Sequence, residues 1–447
     1  MAVCCTSAQA MGIRSFRRRF IGEHTSLILA SVLVGLLAAL AAVALKSGVN
    51  ELTRLLHGWL FGARRELLSL LIPTAGLLLC VLFTQYGLKG DLGRGLPSLL
   101  RTIRQRDSVV EVHKLYSQVL TSILTMGAGG SAGMEAPIAS TGAAFGSRVA
   151  LLLRFDKATR TMLLACGSAA GISAIFNAPI AGAIFAMEVL LVNVAVPMMV
   201  PVLISSATAA FLSSLIYKGQ PFVLITDSWS AGALPWYIAL AFFGGLISTY
   251  CIRTYFLVGD GLKRIGPNYP RALTGGLLLG VLILFFPPLL GEGYVAVEDL
   301  LHGNATALTE HAPVALALGR WNLEALVLGL MLLKVLATSL TVGAGGNGGM
   351  FGSSLFTGAM TGFGFAHGVN LLGLATLNEV NFTVAGMAAV LSGTIHIPLT
   401  AIFLIAEITG GYALFVPLMI VSSLSYVVSR WLIPYSVYTR DEQPARP

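Results

Sequence analysis

Apolar tracts follow one another along the chain from about residue 25 to residue 434. The first two, at residues 25–46 and 66–87, each have about the 20 residues that a helix needs to cross a bilayer. Beyond residue 109 the tracts are shorter and are interrupted by glycine or proline, as at Gly171, Pro179 and Pro398. Interrupted helices at membrane depth are tolerated where protein or a water-filled cavity surrounds them. The pattern therefore predicts an all-α polytopic membrane protein that contains broken helices.

The composition favours the same fold class. Of the 447 residues, 56% are hydrophobic and 11% are charged, whereas soluble domains have about 25% charged residues. Between Arg160 and Lys218 the only acidic or basic residue is Glu188. No stretch is left for a sizeable soluble domain. The five cysteines show no metal-ligand spacing, so we expect neither a disulfide framework nor a metal site.

The net charge of +8 comes from basic residues at the ends of apolar tracts, as the positive-inside rule describes. We therefore assign it to topology and exclude nucleic acid as a partner. Two basic segments frame the first two tracts, and they contain Arg14, Arg17, Arg18 and Arg19, then Lys89, Arg94, Arg101, Arg104 and Arg106. Because two crossings return the chain to its starting side, both segments predict a cytoplasmic N-terminus, although Arg64 and Arg65 argue mildly against it. We expect the protein to lie in a bacterial inner (plasma) membrane, where membrane lipid surrounds it.

The chain contains an internal repeat. Gly127–Met134 and Gly343–Met350 are identical at six of eight positions, at an offset of 343 − 127 = 216. Downstream, a proline and a glutamate stand nine residues apart in both halves, at Pro179 and Glu188 and at Pro398 and Glu407, with an offset of 219. Repeated halves with interrupted helices at corresponding positions point to a transport site at the interface between the repeats.

The first glycine turn ends in a carboxylate, in the run Gly133-Met134-Glu135-Ala136-Pro137. An ionised group at the centre of a membrane helix costs at least roughly 2.5–3.5 kcal/mol on insertion scales, so its presence indicates a function. Pro137 suits the first turn of a helix, and a helix N-terminus attracts anions. We expect Glu135 to lie at an anion site that its own side chain is able to occupy. The alternative is an acid that caps a helix outside the membrane.

The second glycine turn ends in Phe351 instead of an acid. One half therefore supplies a titratable group, and the other supplies an aromatic wall with backbone donors. The alternative for Phe351 is packing alone. Lys334 stands in an apolar tract nine residues before Gly343. It either extends its ammonium group to the interface or places positive potential near an anion route.

These glycine-rich runs resemble the signatures of the CLC family of chloride channels and proton-coupled chloride exchangers. Gly133–Pro137 is similar to the family's G-(K/R)-E-G-P, Gly349–Ser353 to its G-x-F-x-P, and Gly93–Pro97 to its G-S-G-I-P. Other similar segments are Phe176–Gly182, Glu407–Tyr412 and Ser436–Tyr438. The resemblance runs from residue 93 to residue 438 and covers nearly the whole apolar region.

The resemblance implies two inverted repeats of tilted, partly re-entrant helices, and a homodimer in which each subunit has its own pore. It implies that Glu135 is the gating glutamate, which competes with the anion and carries protons. Bound chloride ions are expected, and no cofactor. The positions that it assigns to anion binding are Gly93, Arg94, Gly95, Gly133, Met350, Phe351 and Tyr438. For Tyr438, close to the end of a span, the alternative is an interfacial aromatic belt.

Two departures from the family pattern affect these roles. Arg94 stands where the family has a serine, and its alternative role is a topology signal in a basic loop. Val189 follows Glu188, at the position where exchangers carry an inner proton acceptor and channels often carry valine. The equivalence of Glu188 and Glu407 favours a shared structural role for both, and a substitute proton relay is the alternative for Glu188.

The predicted organisation is a cytoplasmic N-terminal segment (1–24), one transmembrane domain (25–434) with repeat halves at about 65–220 and 270–434, and a short tail (435–447), without the CBS domains of many relatives. The expected function is transport of chloride or a similar small monovalent anion, with channel and proton antiporter both open. Fluoride selectivity is a variant. A membrane-embedded enzyme using Glu135 would need a metal-ligand cluster or an activated nucleophile beside it. None is visible, so no enzyme is expected.

Overall fold

Helices dominate the computed structural model, which describes residues 22–59, 65–89, 92–93, 95–190, 199–218, 228–310, 321–410 and 412–440. The described part contains seventeen α-helices and no β-strand, which confirms the predicted all-α class. In chain order the helices are α1 (Glu23–Trp59), α2 (Arg65–Leu82), α3 (Gly95–Gln105), α4 (Lys114–Gly127), α5 (Glu135–Leu152), α6 (Lys157–Phe176), α7 (Pro179–Val189), α8 (Met199–Ile216), α9 (Leu234–Ile265), α10 (Tyr269–Phe285), α11 (Tyr294–Leu301), α12 (Thr306–Glu310), α13 (Asn322–Gly343), α14 (Met350–Leu371), α15 (Glu379–Ile395), α16 (Pro398–Ile408) and α17 (Phe415–Leu432).

Seven helices among the described residues are long and apolar enough to cross a membrane. The first predicted tract is longer than expected, because α1 continues past residue 46 to Trp59 without a proline to end it. The second matches α2 together with a short π-helical turn at Phe83–Gly87. Four further apolar helices, α7, α10, α15 and α16, have 11 to 17 residues and are therefore shorter than a full crossing.

The downstream repeat is visible in two short helices. Helices α7 and α16 both have 11 residues and begin with proline, whose missing N–H is no loss in the first turn. The preceding helices α6 and α15 are followed by Asn177 and His396, which adopt the left-handed conformation with φ of 55° and 64°. Glu188 and Glu407 are each the penultimate residue of their helix.

The described residues belong to two compact units. The first lies within Met1–Ala44, Gly93–Val119 and Ile138–Lys218, and the second within Leu45–Leu92, Leu120–Pro137 and Gly219–Pro447. In the first unit, α5 and α6 pack through small residues: a Cβ on Gly142 would collide with the carbonyl oxygen of Gly167, and one on Gly146 with that of Leu163. Small residues allow such close approach between membrane helices.

Helices α14 and α15 pack in the same manner within the second unit. A Cβ on Gly358 would lie 2.5 Å from the carbonyl oxygen of Gly386, and one on Gly362 would collide with that of Phe382. Gly142 and Gly358 are separated by the repeat offset, 358 − 142 = 216. The repeated sequence therefore has a counterpart in repeated helix packing.

Candidate anion site

The two glycine turns pair with each other through their backbones. The N–H of Gly133 donates to the carbonyl oxygen of Gly349, and the N–H of Gly349 donates to that of Gly133, both at 2.9 Å. This isolated antiparallel bridge joins the residues that precede α5 and α14. The Gly133 N–H is therefore hydrogen-bonded to the second turn, and the predicted role of Gly133 in anion binding stays a prediction.

A second, reciprocal pair of hydrogen bonds stabilises this junction. The N–H of Ser131 donates to the Thr341 hydroxyl, and the N–H of Asn347 donates to the Thr125 hydroxyl, both at 3.0 Å. Thr125 and Thr341 differ by 216 residues, as do Ser131 and Asn347. Each half thus supplies one acceptor and one donor. These two hydroxyls supply the acceptors that buried backbone N–H groups need where the chain is not helical.

The Glu135 carboxylate lies directly at the beginning of α14. Glu135 is the first residue of α5 and is 1% exposed. Its Oε2 accepts a hydrogen bond from the Gly352 N–H at 3.3 Å, and its Oε1 accepts one from the Tyr294 hydroxyl at 2.9 Å. The N-terminus of a helix provides N–H donors and positive potential for an anion. A carboxylate therefore occupies the position where a helix N-terminus binds anions.

Two glycines provide the space for this carboxylate. A Cβ on Gly133 would collide with Oε2 of Glu135. A Cβ on Gly352 would lie 3.0 Å from Oε1 of Glu135 and 2.9 Å from the Tyr294 hydroxyl. Gly133 consequently requires glycine while Glu135 is in place, because its Cβ would also lie 2.7 Å from the backbone nitrogen of Gly352. At Gly352 a Cβ would displace the ends of the Glu135 and Tyr294 side chains.

The predicted anion-binding residues of the second half surround the same helix N-terminus. Met350 and Phe351 are the first residues of α14 and are each 1% exposed. The Tyr438 hydroxyl is buried and has no hydrogen-bond partner among the described residues. A Cβ on Gly349 would lie 3.3 Å from that hydroxyl oxygen. Other buried hydroxyls among the described residues, such as those of Ser140 and Thr357, also have no partner. The position of the Tyr438 hydroxyl beside the beginning of α14 is what makes it a candidate ligand.

A cavity of about 420 Å³ lies beside Glu135. Its lining includes Glu292 and Tyr294, and also Met134 from the first glycine turn. Oε1 of Glu292 accepts a hydrogen bond from the Met134 N–H at 3.1 Å. Glu292 and Tyr294 are half-buried, whereas Glu135 is closed off. The cavity thus reaches Tyr294, which donates to the Glu135 carboxylate.

Two buried lysines accompany the two carboxylates. Lys334 on α13 donates through Nζ to the carbonyl oxygens of Leu289 and Gly291, at 3.1 and 2.7 Å. Its ammonium group is fully buried and therefore does not extend to the interface. Lys46 on α1 interacts electrostatically with both Glu135 and Glu292. Paired opposite charges reduce the free energy that burial of each charge would cost.

The first glycine signature lies in the other compact unit. Arg94 lies outside the described residues, so its predicted role stays a prediction. Gly93 and Gly95 have positive φ angles of 52° and 62°. The Gly93 carbonyl accepts a hydrogen bond from the Gln118 side chain at 3.3 Å. Lys114 is buried against Gly93, and its ammonium group donates to Ser98 at 2.8 Å.

The remaining candidate, Glu188, is half-buried near the end of α7 in that same unit. Sequence reasoning missed Lys46, Lys114, Glu292 and Tyr294. A signal existed for Glu292, since it stands between Gly291 and Gly293 after an apolar tract, as Glu135 follows a glycine turn. Tyr294 had no comparable local signal.

Comparisons with known proteins agree with this geometry. The family model for the voltage gated chloride channel matches residues 75–430. A ClcB-like chloride channel protein of Ralstonia nicotianae is 31% identical over 91% of this chain and 94% of its own length. An H(+)/Cl(-) exchange transporter, ClcA, of Vibrio parahaemolyticus is 29% identical over 70% of this chain and 66% of its own length. The solved structure of a slow cyanobacterial Cl-/H+ antiporter has a TM-score of 0.79 at 22% identity, covering 92% of this chain and 96% of that one.

The likeness to the solved antiporter structure concerns the fold, whereas the family model and the relative from Ralstonia nicotianae identify the family. The family model covers most of the chain, and a relative above 30% identity aligns along nearly its whole length. The chain is therefore an integral membrane protein that belongs to the voltage gated chloride channel family, the CLC family.

Proposed function

We propose that this protein moves chloride, or a similar small monovalent anion, across the membrane and that Glu135 is its protonatable gate. The observation that carries the proposal is the position of the Glu135 carboxylate on the Gly352 N–H at the N-terminus of α14. An ionised carboxylate there competes with a permeating anion for the same donors. Protonation removes its charge, and the anion then takes its place.

The other residues have complementary roles in this proposal. Met350 and Phe351 provide backbone N–H groups of the first turn of α14, which replace part of the hydration shell of the anion. Tyr438 donates its hydroxyl, which has no partner among the described residues. Gly93, Arg94 and Gly95 contribute to anion binding, as the resemblance to the family implies. Glu188 keeps a structural role shared with Glu407, and the alternative is a relay for protons.

Flux from proteoliposomes tests the function and distinguishes its variants. Chloride efflux and proton uptake are measured together, under a chloride gradient. Protons driven uphill identify an antiporter, and rapid passive efflux without proton movement identifies a channel. Replacement of chloride by fluoride in the same assay tests the fluoride-selective variant. Purified protein that carries none of these anions would contradict the proposal.

The variant Glu135→Gln tests the gate itself. Glutamine has the shape of the protonated acid but cannot release a proton. We expect anion efflux to persist and to lose its pH dependence, and proton-coupled movement to be abolished. The control is Glu298→Gln, an exposed carboxylate on α11 that should behave as the wild type. A Glu135→Gln protein with an unchanged pH profile would rule out this role.

We further propose a homodimer with a complete anion path in each subunit, a cytoplasmic N-terminus and a bacterial inner membrane as its location. The basic segments flanking the first two apolar tracts support the orientation. The bacterial relatives support the location. Transport is proposed in preference to catalysis, because relatives that align over 91% and 70% of this chain are a chloride channel protein and an exchange transporter by name.

A further inference from the structure

The Glu135 carboxylate has no direct access to the cavity beside it. It is 1% exposed and is held by Gly352 and Tyr294. Glu292, by contrast, is half-buried and lines the cavity together with Tyr294. A proton that enters from the cavity therefore meets Glu292 and Tyr294 before it meets Glu135.

Hydrogen bonds hold Glu292 and its neighbour Gly291 at this place. Gly291 and Gly293, on either side of it, have positive φ angles of 60° and 81°. The Gly291 carbonyl is fixed by the buried ammonium group of Lys334. The Glu292 carboxylate itself accepts the N–H of Met134, the residue that precedes Glu135. The second carboxylate is thus attached to the turn that carries the gate.

The charged and titratable groups around Glu292 come from several helices. Glu135 on α5, Lys46 on α1 and Lys334 on α13 interact with it electrostatically. Tyr294 on α11 interacts with both carboxylates. Asp299, also on α11, lines the same cavity. When two carboxylates repel each other, ionising both costs more free energy than ionising one of them. The protonation of one therefore depends on that of the other, and the pair titrates together.

We propose that Glu292 is the proton-entry residue for Glu135 and titrates together with it. A hydronium ion in the cavity gives its proton to the Glu292 carboxylate and leaves as water. Tyr294, which lines the same cavity and donates to Oε1 of Glu135, then passes its hydroxyl proton to that oxygen and receives the proton of Glu292 through cavity water in exchange. Glu292 returns to the carboxylate and Tyr294 to the phenol, and one proton has moved to Glu135. This inference rests on the proposed function of Glu135.

The test is the variant Glu292→Gln in proteoliposomes whose internal and external pH are set separately. Removal of the negative charge removes the repulsion that favours protonation of Glu135. We expect the pH of half-maximal anion flux to fall by about 0.5 to 1 unit, for pH changes on one face of the membrane only. Proton-coupled movement should slow several-fold more than anion flux.

Asp299→Asn is the matched control, because it removes a carboxylate from the same cavity without touching the groups around Glu135. Glu292→Asp should restore part of the wild-type profile. A Glu292→Gln protein that transports anions with the wild-type pH profile and proton rate would overturn the inference while leaving the role of Glu135 intact. A wild-type protein without anion flux would instead contradict the proposed function.

Discussion

At the scale of single residues, the Tyr438 hydroxyl is the most informative polar group. It is buried and unpaired among the described residues, and it lies beside Gly349 at the beginning of α14. A buried hydroxyl without a partner lowers stability, because its desolvation is not compensated. Such a group is explained if an anion accepts its hydrogen bond during transport.

Tyr438→Phe removes this hydroxyl and keeps the ring. We expect the anion concentration for half-maximal flux to rise roughly 2- to 10-fold, which corresponds to the loss of one hydrogen bond. Thermal stability should be unchanged or slightly higher, because no hydrogen bond to protein is lost. Saturation curves of chloride flux and thermal unfolding in detergent measure the two effects.

The contrasting variant is Tyr250→Phe. The Tyr250 hydroxyl donates to the carbonyl oxygen of Leu332 at 3.0 Å. Its loss should lower thermal stability and leave the anion dependence of the flux unchanged. Equal effects of the two variants on flux would argue against an anion ligand at Tyr438.

At the scale of helices, close packing between pairs of helices supports the glycine turns. Helices α5 and α6 approach at Gly142 and Gly167, and helices α14 and α15 at Gly358 and Gly386. The helices that begin at the two turns, α5 and α14, are therefore each held by a neighbour through backbone contact. Rigid support of this kind keeps the donors at a helix N-terminus in place for a ligand.

Gly142→Ala should disturb this support. The added Cβ would collide with the Gly167 carbonyl oxygen, which cannot move without its helix. Overpacking of this kind costs about 1–3 kcal/mol. We expect a lower thermal unfolding midpoint in detergent and a smaller chloride flux per molecule.

Gly261→Ala is the control for helix propensity. Gly261 lies in α9, and a Cβ there would have no heavy atom within 4 Å. Alanine favours a helix more than glycine does, so stability should be equal or slightly higher. A similar loss for both variants would mean that close packing at Gly142 is unimportant.

At the scale of the whole molecule, large apolar side chains are exposed on the outer faces of several helices. Helix α8 exposes Phe211 and Leu215, and helix α17 exposes Val427 and Trp431. Apolar surfaces of this size are poorly solvated by water, so we expect them to contact lipid or another protein subunit. They are therefore compatible with the proposed homodimer, in which part of this surface is covered.

The homodimer is tested by mass. Light scattering after chromatography in mild detergent, corrected for bound detergent, should give a protein mass of twice 46.9 kDa. A mass of 46.9 kDa at every concentration would contradict the dimer. Transport activity of such a monomer would still support an anion path within each subunit.

The sequence alone predicted much of the fold because its signals are local. Apolar tracts, interrupting prolines and the paired glycine runs each lie within a few residues of one another, and they led to the all-α membrane class. The same holds for Glu135, whose carboxylate follows a glycine turn. Burial of a carboxylate in an apolar segment is costly enough to make it a candidate functional residue without any knowledge of its neighbours.

Only the tertiary structure revealed what surrounds Glu135. Tyr294 lies 159 residues away along the chain and Gly352 lies 217 residues away, yet both donate to its carboxylate. The contact between Glu292 and Met134 spans 158 residues. No periodic pattern connects positions so far apart, because their approach depends on helix packing. The sequence therefore determined which carboxylate is the candidate gate and which turns repeat, whereas the packing of the helices decided which donors, charges and cavity that carboxylate meets.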